Sequence, residues 1–365
     1  MSKYTTDDDG KLPYSDVYNA QALVQAYGID LHYCHLWGKW LIWTSTHWSP
    51  DTSGTVLRYA RHTVRNLPSP RKQSEEDNVT KAFYAHRKKS LNASRLDAMV
   101  KVAQSWQGIP VQPEDLDQNP WLLNCLNGTL DLQTGELRSH QREDLITKCL
   151  PISYDPNAQC PLWLHFLNDI MAGNENLINF LQRVIGYSLT GVIREHVLFV
   201  LYGTGRNGKS TFLNTIMAML GAYAMKAPAE LLMTSKYDRH PTEKADLHGR
   251  RLISAIETEQ GRKLNEVLVK ELTGGDPIRA RRMREDFWEF RPTHKVFLAT
   301  NHKPVITGTD HAIWERIRLI PFTVTIPKEQ RDTTLPDKLL AELPGILAWA
   351  VQGCLTWQQE GLGEQ

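Results

Sequence analysis

The residues with the plainest chemical reading form one run, Gly203-Thr204-Gly205-Arg206-Asn207-Gly208-Lys209-Ser210-Thr211. Its spacing, G-x-x-x-x-G-K-[ST], lets successive backbone N–H groups turn inward around the β- and γ-phosphates of a nucleoside triphosphate. Lys209 would neutralise phosphate oxygens, and the Ser210 hydroxyl would reach Mg²⁺. A chance glycine-rich turn is the alternative, but the context argues against it. The apolar run HVLFVLYG (196–203) precedes the loop, and a helical pattern with Phe212, Ile216, Met219 and Leu220 follows it. A helix there adds its positive N-terminal end to the site. The expectation is ATP, bound with Mg²⁺.

Two further apolar runs, RLISAI (251–256) and KVFLAT (295–300), resemble the one before the loop. Continuous apolar runs of this length suit strands buried on both faces, as in a parallel sheet covered by helices. Ligands of such sheets sit beyond the carboxyl ends of the strands. All three runs end in residues capable of chemistry. The second delivers Glu257-Thr258-Glu259. Carboxylates two residues apart on an extended chain point the same way. Glu257 is assigned the metal shell, and Glu259 the orientation and deprotonation of an attacking water. Plain strand-end acids are the alternative. The third run delivers Thr300-Asn301, whose amide could hydrogen-bond the γ-phosphate or that water. A simple turn former is the other reading of Asn301.

Between the second and third runs lie Arg279, Arg281, Arg282 and Arg284, four arginines in six residues with no acid before Glu285. The turn signal TGGDP precedes them and the aromatic FWEF follows, as in a hairpin. Guanidinium groups suit phosphates and stack on bases, so these arginines, with Lys270 on the preceding helix, are candidate DNA contacts. A solvated arginine run is the alternative.

The upstream half reads differently. A helix is predicted from Asp16, capped by Ser15 or Asp16 and stopped at Gly28. An aromatic hairpin follows, turning at Gly38, whose tryptophans (Trp37, Trp40, Trp43, Trp48) read as sheet core rather than a base-stacking surface. A helix over 55–67 carries Arg58, Arg61 and Arg65 on one face, either a solvated face or a phosphate-contacting stripe. Helical patterns run to about Gln107, and NGTLDLQTGELRSH reads as strand–turn–strand with Thr134-Gly135 at the turn. The pattern breaks at PISYDPNAQCP, so the expected division is a flexible 1–12, an N-terminal pre-motor domain over 13–155 and an ATPase domain over 156–365.

Taken in order and spacing, GTGRNGKST, RLISAIETEQGRKLNE, KELTGGDP, KVFLATNHKPVI and DHAIWERIRLIPF resemble the phage/plasmid primase–helicase family. These are superfamily 3 DNA helicases related to the poxvirus primase–helicase, and the resemblance covers roughly residues 110–360. It implies a P-loop, AAA+-like α/β ATPase with a central parallel sheet, preceded by a mainly helical collar-like domain carrying small β-hairpins. It also implies a homo-hexameric ring with ATP between neighbouring subunits. Residue by residue, Gly203, Gly208, Lys209, Ser210 and Thr211 match the phosphate loop, Glu257 and Glu259 the acidic motif, and Asn301 the sensor. Arg316 best matches an arginine finger reaching the next subunit's site, with Arg318 second and ordinary salt bridges the plain alternative. The hairpin would project into the channel and grip single-stranded DNA. No primase catalytic segment is recognisable, so primer synthesis is not expected of this chain.

The chain has 365 residues, 41% hydrophobic and 23% charged, which excludes wholesale disorder and a fibre. Lys+Arg number 42 against Asp+Glu 41, so a globally basic DNA-coating protein is excluded and nucleic-acid contact must be local. No apolar run spans a membrane. Five scattered cysteines without a CxxC pair fit a reducing, host-cell cytoplasm. The function expected is ATP-driven unwinding of forked DNA by a ring threaded on single-stranded DNA, in phage or mobile-element replication. A primase or polymerase on a separate chain is the expected partner. The alternative is a replication-initiation or scaffold protein that binds ATP and DNA without processive unwinding.

Overall fold

A computed structural model describes residues 14–69, 78–234, 242–257, 259, 261–281, 287–306 and 311–364. The chain divides into two compact units, residues 1–118 with 142–147, and residues 119–141 with 148–365.

In the first unit, α1 (Asp16–Tyr27) starts where Ser15 Oγ accepts the Tyr18 N–H at 3.2 Å and stops at Gly28. An antiparallel sheet follows, β1 (Leu31–Cys34), β2 (Lys39–Trp43) and β3 (Trp48–Pro50). Trp48 is buried, its Nε1 donating to the Arg142 carbonyl at 2.9 Å, and Trp37 and Trp43 pack half-buried beside it. The tryptophans are therefore core. Helix α2 (Thr55–Arg65) begins where the Asp51 carboxylate accepts the N–H groups of Thr55 and Val56, both at 2.9 Å. Helices α3 (Asn78–Ser90) and α4 (Ala93–Ala103) complete the unit.

The second unit opens with a three-stranded antiparallel sheet, β4 (Leu122–Cys125), β5 (Gly128–Asp131) and β6 (Glu136–Arg138), then α5 (Pro161–Ile170) and α6 (Glu175–Leu189). Next come β7 (Leu198–Tyr202), α7 (Lys209–Leu220), β8 (Ala224–Ala227), α8 (Thr242–Ala245), β9 (Leu252–Glu257) and α9 (Glu266–Thr273). The chain continues through β10 (Ile278–Ala280), β11 (Trp288–Phe290), β12 (Lys295–Thr300), α10 (His311–Glu315), β13 (Ile317–Pro321), α11 (Leu335–Ala341) and α12 (Leu343–Glu360). The small sheet β4–β6 falls in this unit, not with the helices before residue 155 as the break in pattern suggested. The reason is packing: Leu123, Cys125, Leu130 and Leu132 share one buried cluster with α5, α6 and α7.

The centre of this unit is a five-stranded, all-parallel sheet in the order β13-β7-β12-β9-β8. Alternate residues enter different cores: Phe199, Leu201 and Phe297 one, Leu198, Val200, Ile253 and Leu298 the other. A strand apolar at every position is required when both faces are buried, which is why these runs show no alternation. Two buried cations sit at the strand starts. Arg251 donates to the carbonyls of Leu189 and Leu122, and Lys295 to the carbonyl of Thr190 at 2.5 Å, so both close the negative C-terminal end of α6. Burial pushes the four thiols Cys125 and Cys354 (to about 12) and Cys149 and Cys160 (to about 11) upward, leaving them unreactive packing groups.

Helices α6 and α12 cross in backbone contact. A Cβ on Gly186 would stand 2.1 Å from the Cys354 nitrogen, and one on Gly353 would stand 2.1 Å from the Gln182 carbonyl oxygen. Because backbone cannot yield as a side-chain tip does, Gly186→Ala should force the helices apart and cost about 1–3 kcal/mol or more. A fall in the urea midpoint at unchanged m-value measures it; an unshifted midpoint means the crossing relaxes freely.

Candidate active site

Strand register builds the site. Parallel pairing aligns Glu257 with Thr300 and Thr300 with Tyr202, so three neighbouring strands end in one row. Gly203 and Asn301 each follow directly on that row, which brings the glycine loop, the buried acid and the amide to the same carboxyl edge.

The loop is pinned from outside. The Gly203 N–H donates to the Thr300 carbonyl at 3.3 Å, the Arg206 carbonyl accepts from the Ile326 N–H at 3.0 Å, and Asn207 Nδ2 donates to the carbonyls of Thr204 (2.7 Å) and Phe322 (2.8 Å). Gly203 has φ +150°, and a Cβ there would stand 2.1 Å from the Phe322 oxygen; Gly208 has φ +84° and presses on Ile170. These glycines are required by close approach as well as by turning. Gly205 faces open space and Arg206 itself is left-handed, at φ +67°. Thr204, Gly205 and Arg206 form the exposed crest of the loop.

Lys209 is 6% exposed at the start of α7, its ammonium donating to the Gly203 carbonyl and to Asn207 Oδ1 at 3.1 Å. Burial pushes its pKa below the ordinary lysine value. Ser210 lies exposed in the first turn of α7 with Thr211 half-buried beside it. The arrangement is a cationic centre under a helix N-terminus, suited to a polyanionic ligand.

The two acids differ more than the extended-chain reading predicted. β9 ends at Glu257, which is buried, and its Oε1 accepts the Glu259 N–H at 2.7 Å. Glu259 lies past the strand on a bend, its side chain 72% exposed. They are not parallel neighbours on one strand face, since the strand stops at Glu257. What joins them is Arg262, whose Nε is 3.2 Å from Glu257 Oε2 and 3.8 Å from Glu259 Oε2, while its Nη2 is 3.6 Å from Glu230. Sequence reasoning passed over Arg262, although its position five residues after Glu257 was a usable signal. Asn301 is half-buried just beyond β12, where Thr300 Oγ1 donates to the His302 carbonyl at 2.6 Å and fixes the turn.

Arg316 and Arg318 lie elsewhere. Arg316 immediately precedes β13, and its carbonyl accepts the N–H of Leu198, the first residue of β7, at 2.6 Å. It is thus at the amino end of the sheet, roughly 16 Å from the strand tips at 3.3 Å per residue over β13. Its Nη1 donates to Thr273 Oγ1 at 3.1 Å, and Arg318 Nη1 donates to the Glu315 carbonyl at 2.8 Å. Neither guanidinium is paired with a carboxylate among the described residues.

The arginine-rich segment is a hairpin as expected: β10 and β11 pair antiparallel with Arg279 opposite Glu289. Arg279 and Arg281 both stack on the half-exposed Phe287 ring, at 4.5 and 4.7 Å. Arg282 and Arg284 fall outside the described residues. Lys270 is half-buried in the last turn of α9, three residues before the Thr273 that holds Arg316.

Comparison with known proteins agrees with this architecture. Residues 20–172 match the family described as D5 N terminal like, and residues 201–316 match a family of unknown function (DUF5906). An Acanthamoeba polyphaga mimivirus protein named as a candidate helicase is 28% identical over 242 residues, covering 65% of this chain and 25% of its own length. A candidate helicase of Invertebrate iridescent virus 6 is 28% identical over 263 residues, covering 69% of this chain and 27% of its own length. A candidate primase of African swine fever virus is 26% identical over 282 residues, covering 74% and 29%. The chain therefore spans little more than a quarter of these relatives. The apo C-terminal region of NrS-1 superposes with a TM-score of 0.55 over 92% of this chain and 68% of that one, at 10% identity, which establishes likeness of fold. Among the described residues no single helix is long and apolar enough to cross a membrane. One family match falls on the helical unit and the small sheet, the other on the strand tips, and the viral relatives are named as candidate helicases and a candidate primase; the chain is similar to the D5-like primase–helicases.

Proposed function

We propose that this chain is an ATP-driven DNA motor, a helicase that works as a homo-hexameric ring on single-stranded DNA during replication of a virus or mobile element. The observation that carries the proposal is the shared strand-tip row. It sets a glycine loop, a buried carboxylate and an amide along one edge of the sheet, and it leaves Arg316 at the far end. Lys209 and the loop N–H groups hold the β- and γ-phosphates. Asn301 orients the γ-phosphate or the attacking water, and Glu259, solvent-facing, takes that water's proton. Arg316 is too distant to serve its own loop, so it serves the loop of the next copy, with Arg318 beside it.

The donors available suit Mg²⁺. Among the described residues no group of three or more His, Cys, Asp or Glu side chains forms a metal cage. Mg²⁺ does not need one, because it keeps waters and takes one or two protein oxygens plus phosphate. Ser210 Oγ and the Glu257 carboxylate are those oxygens. When bound, the ion would neutralise charge on the phosphate oxygens. Glu257 is presently shared with Arg262, whose guanidinium has Glu230 and Glu259 at hand if Glu257 turns to the ion.

On the DNA side, Arg279, Arg281 and Lys270 contact the backbone of the threaded strand, and Phe287 offers a ring to its bases. Arg279→Ala with Arg281→Ala should weaken oligo(dT) binding and lower the slope of log affinity against log salt by about 1.4. An unchanged slope moves the strand contact away from the hairpin. The motor itself is tested by strand displacement on a forked duplex with ATP and Mg²⁺. Assembled rings that hydrolyse ATP but displace no strand would refute unwinding.

A further inference from the structure

The cations of α2 and α3 take no part in the motor reading. Residues 52–113 carry eleven Lys and Arg against four Asp and Glu, in a chain whose totals are 42 and 41. Among the described residues of that stretch Asp97 is the sole acid. The fold turns this excess outward. Helix α2 buries Val56, Ala60 and Val64, so Arg58, Arg61 and Arg65, spaced by three and four, line its exposed face. Helix α3 buries Phe83 and Ser90, leaving Lys81, Lys88 and Lys89 exposed.

Two observations separate this from an ordinary solvated surface. First, Arg61, Arg65, Lys81, Lys88 and Lys89 have no carboxylate partner among the described residues. Arg58 is braced instead by neutral groups, the Ser53 carbonyl at 2.7 Å and Thr55 Oγ1 at 2.6 Å. Second, the carboxylate at the start of α2, Asp51, is committed to the N–H groups of Thr55 and Val56, both at 2.9 Å, so it offsets the helix dipole and pairs with none of Arg58, Arg61 and Arg65. Exposed cations left without carboxylate partners on neighbouring helices suit an external polyanion.

We infer that the exposed faces of α2 and α3 form a second nucleic-acid surface, one that docks the phosphate backbone of duplex DNA without reading its sequence. Duplex rather than single strand is favoured because cations dominate these faces: Tyr59 is stacked flat on Tyr27 at 4.1 Å and half-exposed, the His62 ring is held by Tyr27 Oη at 2.6 Å, and Tyr84 is left as a single exposed phenol ring, edge-on to Phe83. Strand gripping without sequence preference uses aromatic platforms, whereas backbone docking needs only charge.

The test uses the whole chain without nucleotide, so that it stands apart from ATP hydrolysis. Fluorescence anisotropy follows binding of a blunt-ended duplex and, separately, of oligo(dT), across a salt series. Arg61→Gln with Arg65→Gln should lower the duplex salt slope by about 2, and adding Lys88→Gln with Lys89→Gln should lower it by about 4. Oligo(dT) binding stays as in the unaltered chain. Arg61→Lys with Arg65→Lys should keep the slope, because a phosphate reads charge. All four side chains are exposed, and an unchanged melting temperature verifies the fold. No duplex binding by the unaltered chain, a duplex slope unmoved by the glutamine variants, or equal losses for duplex and oligo(dT) would each overturn the inference.

Discussion

Lys209→Ala should reduce ATP hydrolysis to background, a loss of about 10²–10³-fold or more, as for removal of one preorganised electrostatic contact. The loss follows from where the ammonium sits. It is almost fully buried, at the centre of a loop whose other walls are backbone and Asn207. Arg206 stands outside on the exposed crest and Lys303 over the Tyr202 ring, so neither occupies the centre that the ammonium fills. Stability should change much less. The substitution removes hydrogen bonds to Gly203 and Asn207, worth about 1 kcal/mol each, and Asn207 keeps its own bonds to Thr204 and Phe322. A variant that melts near the normal temperature yet fails to turn over ATP locates the defect in chemistry. Turnover within threefold of the unaltered chain would mean that the loop is not the catalytic phosphate site. Lys209→Arg should not rescue, because the planar guanidinium needs several acceptors in a fork where the loop offers two around a compact ammonium.

Much of this site was legible in the sequence because its logic is local. The loop motif fixes residue types at fixed offsets, and strands buried on both faces announce themselves by unbroken apolar runs. Knowing only that β7, β9 and β12 each end in polar residues was enough to expect them at one edge. The order β7-β12-β9 was not readable, since it depends on crossovers rather than on any strand's own residues. Positions just past a strand end were the weak point. Alternation holds only while the chain stays extended; β9 stops at Glu257, and so the paired-carboxylate expectation gave way to one buried and one exposed acid around Arg262. The boundary near 155 failed for a related reason. A break in local pattern marks a loop, but unit membership follows contacts, and β4–β6 pack with residues far along the chain.

Arg316→Ala should lower ATP turnover by about 10³-fold or more while leaving nucleotide affinity within a small factor, the signature of a finger that meets charge only as it develops. Its position explains both halves of the result. Standing a full strand length from its own loop, the guanidinium contributes nothing to binding within the subunit, and its present bond is to a neutral hydroxyl, Thr273 Oγ1. Thr273 should matter for aim: its side chain also donates to the Val269 carbonyl at 2.7 Å, its own carbonyl bonds His196 Nδ1 at 3.0 Å, and the chain runs from it into the arginine hairpin. Mixing gives the decisive measurement. Lys209→Ala subunits retain an intact finger, and Arg316→Ala subunits retain an intact loop. If each site is built from two copies, combining the two inactive variants should restore part of the ATPase, because some interfaces then join a sound loop to a sound finger. Restoration should fade on dilution as copies part. Two inactive preparations that stay inactive when co-assembled, or an Arg316→Ala chain that turns over normally, would return Arg316 to a structural role at the start of β13 and leave the site complete within one subunit.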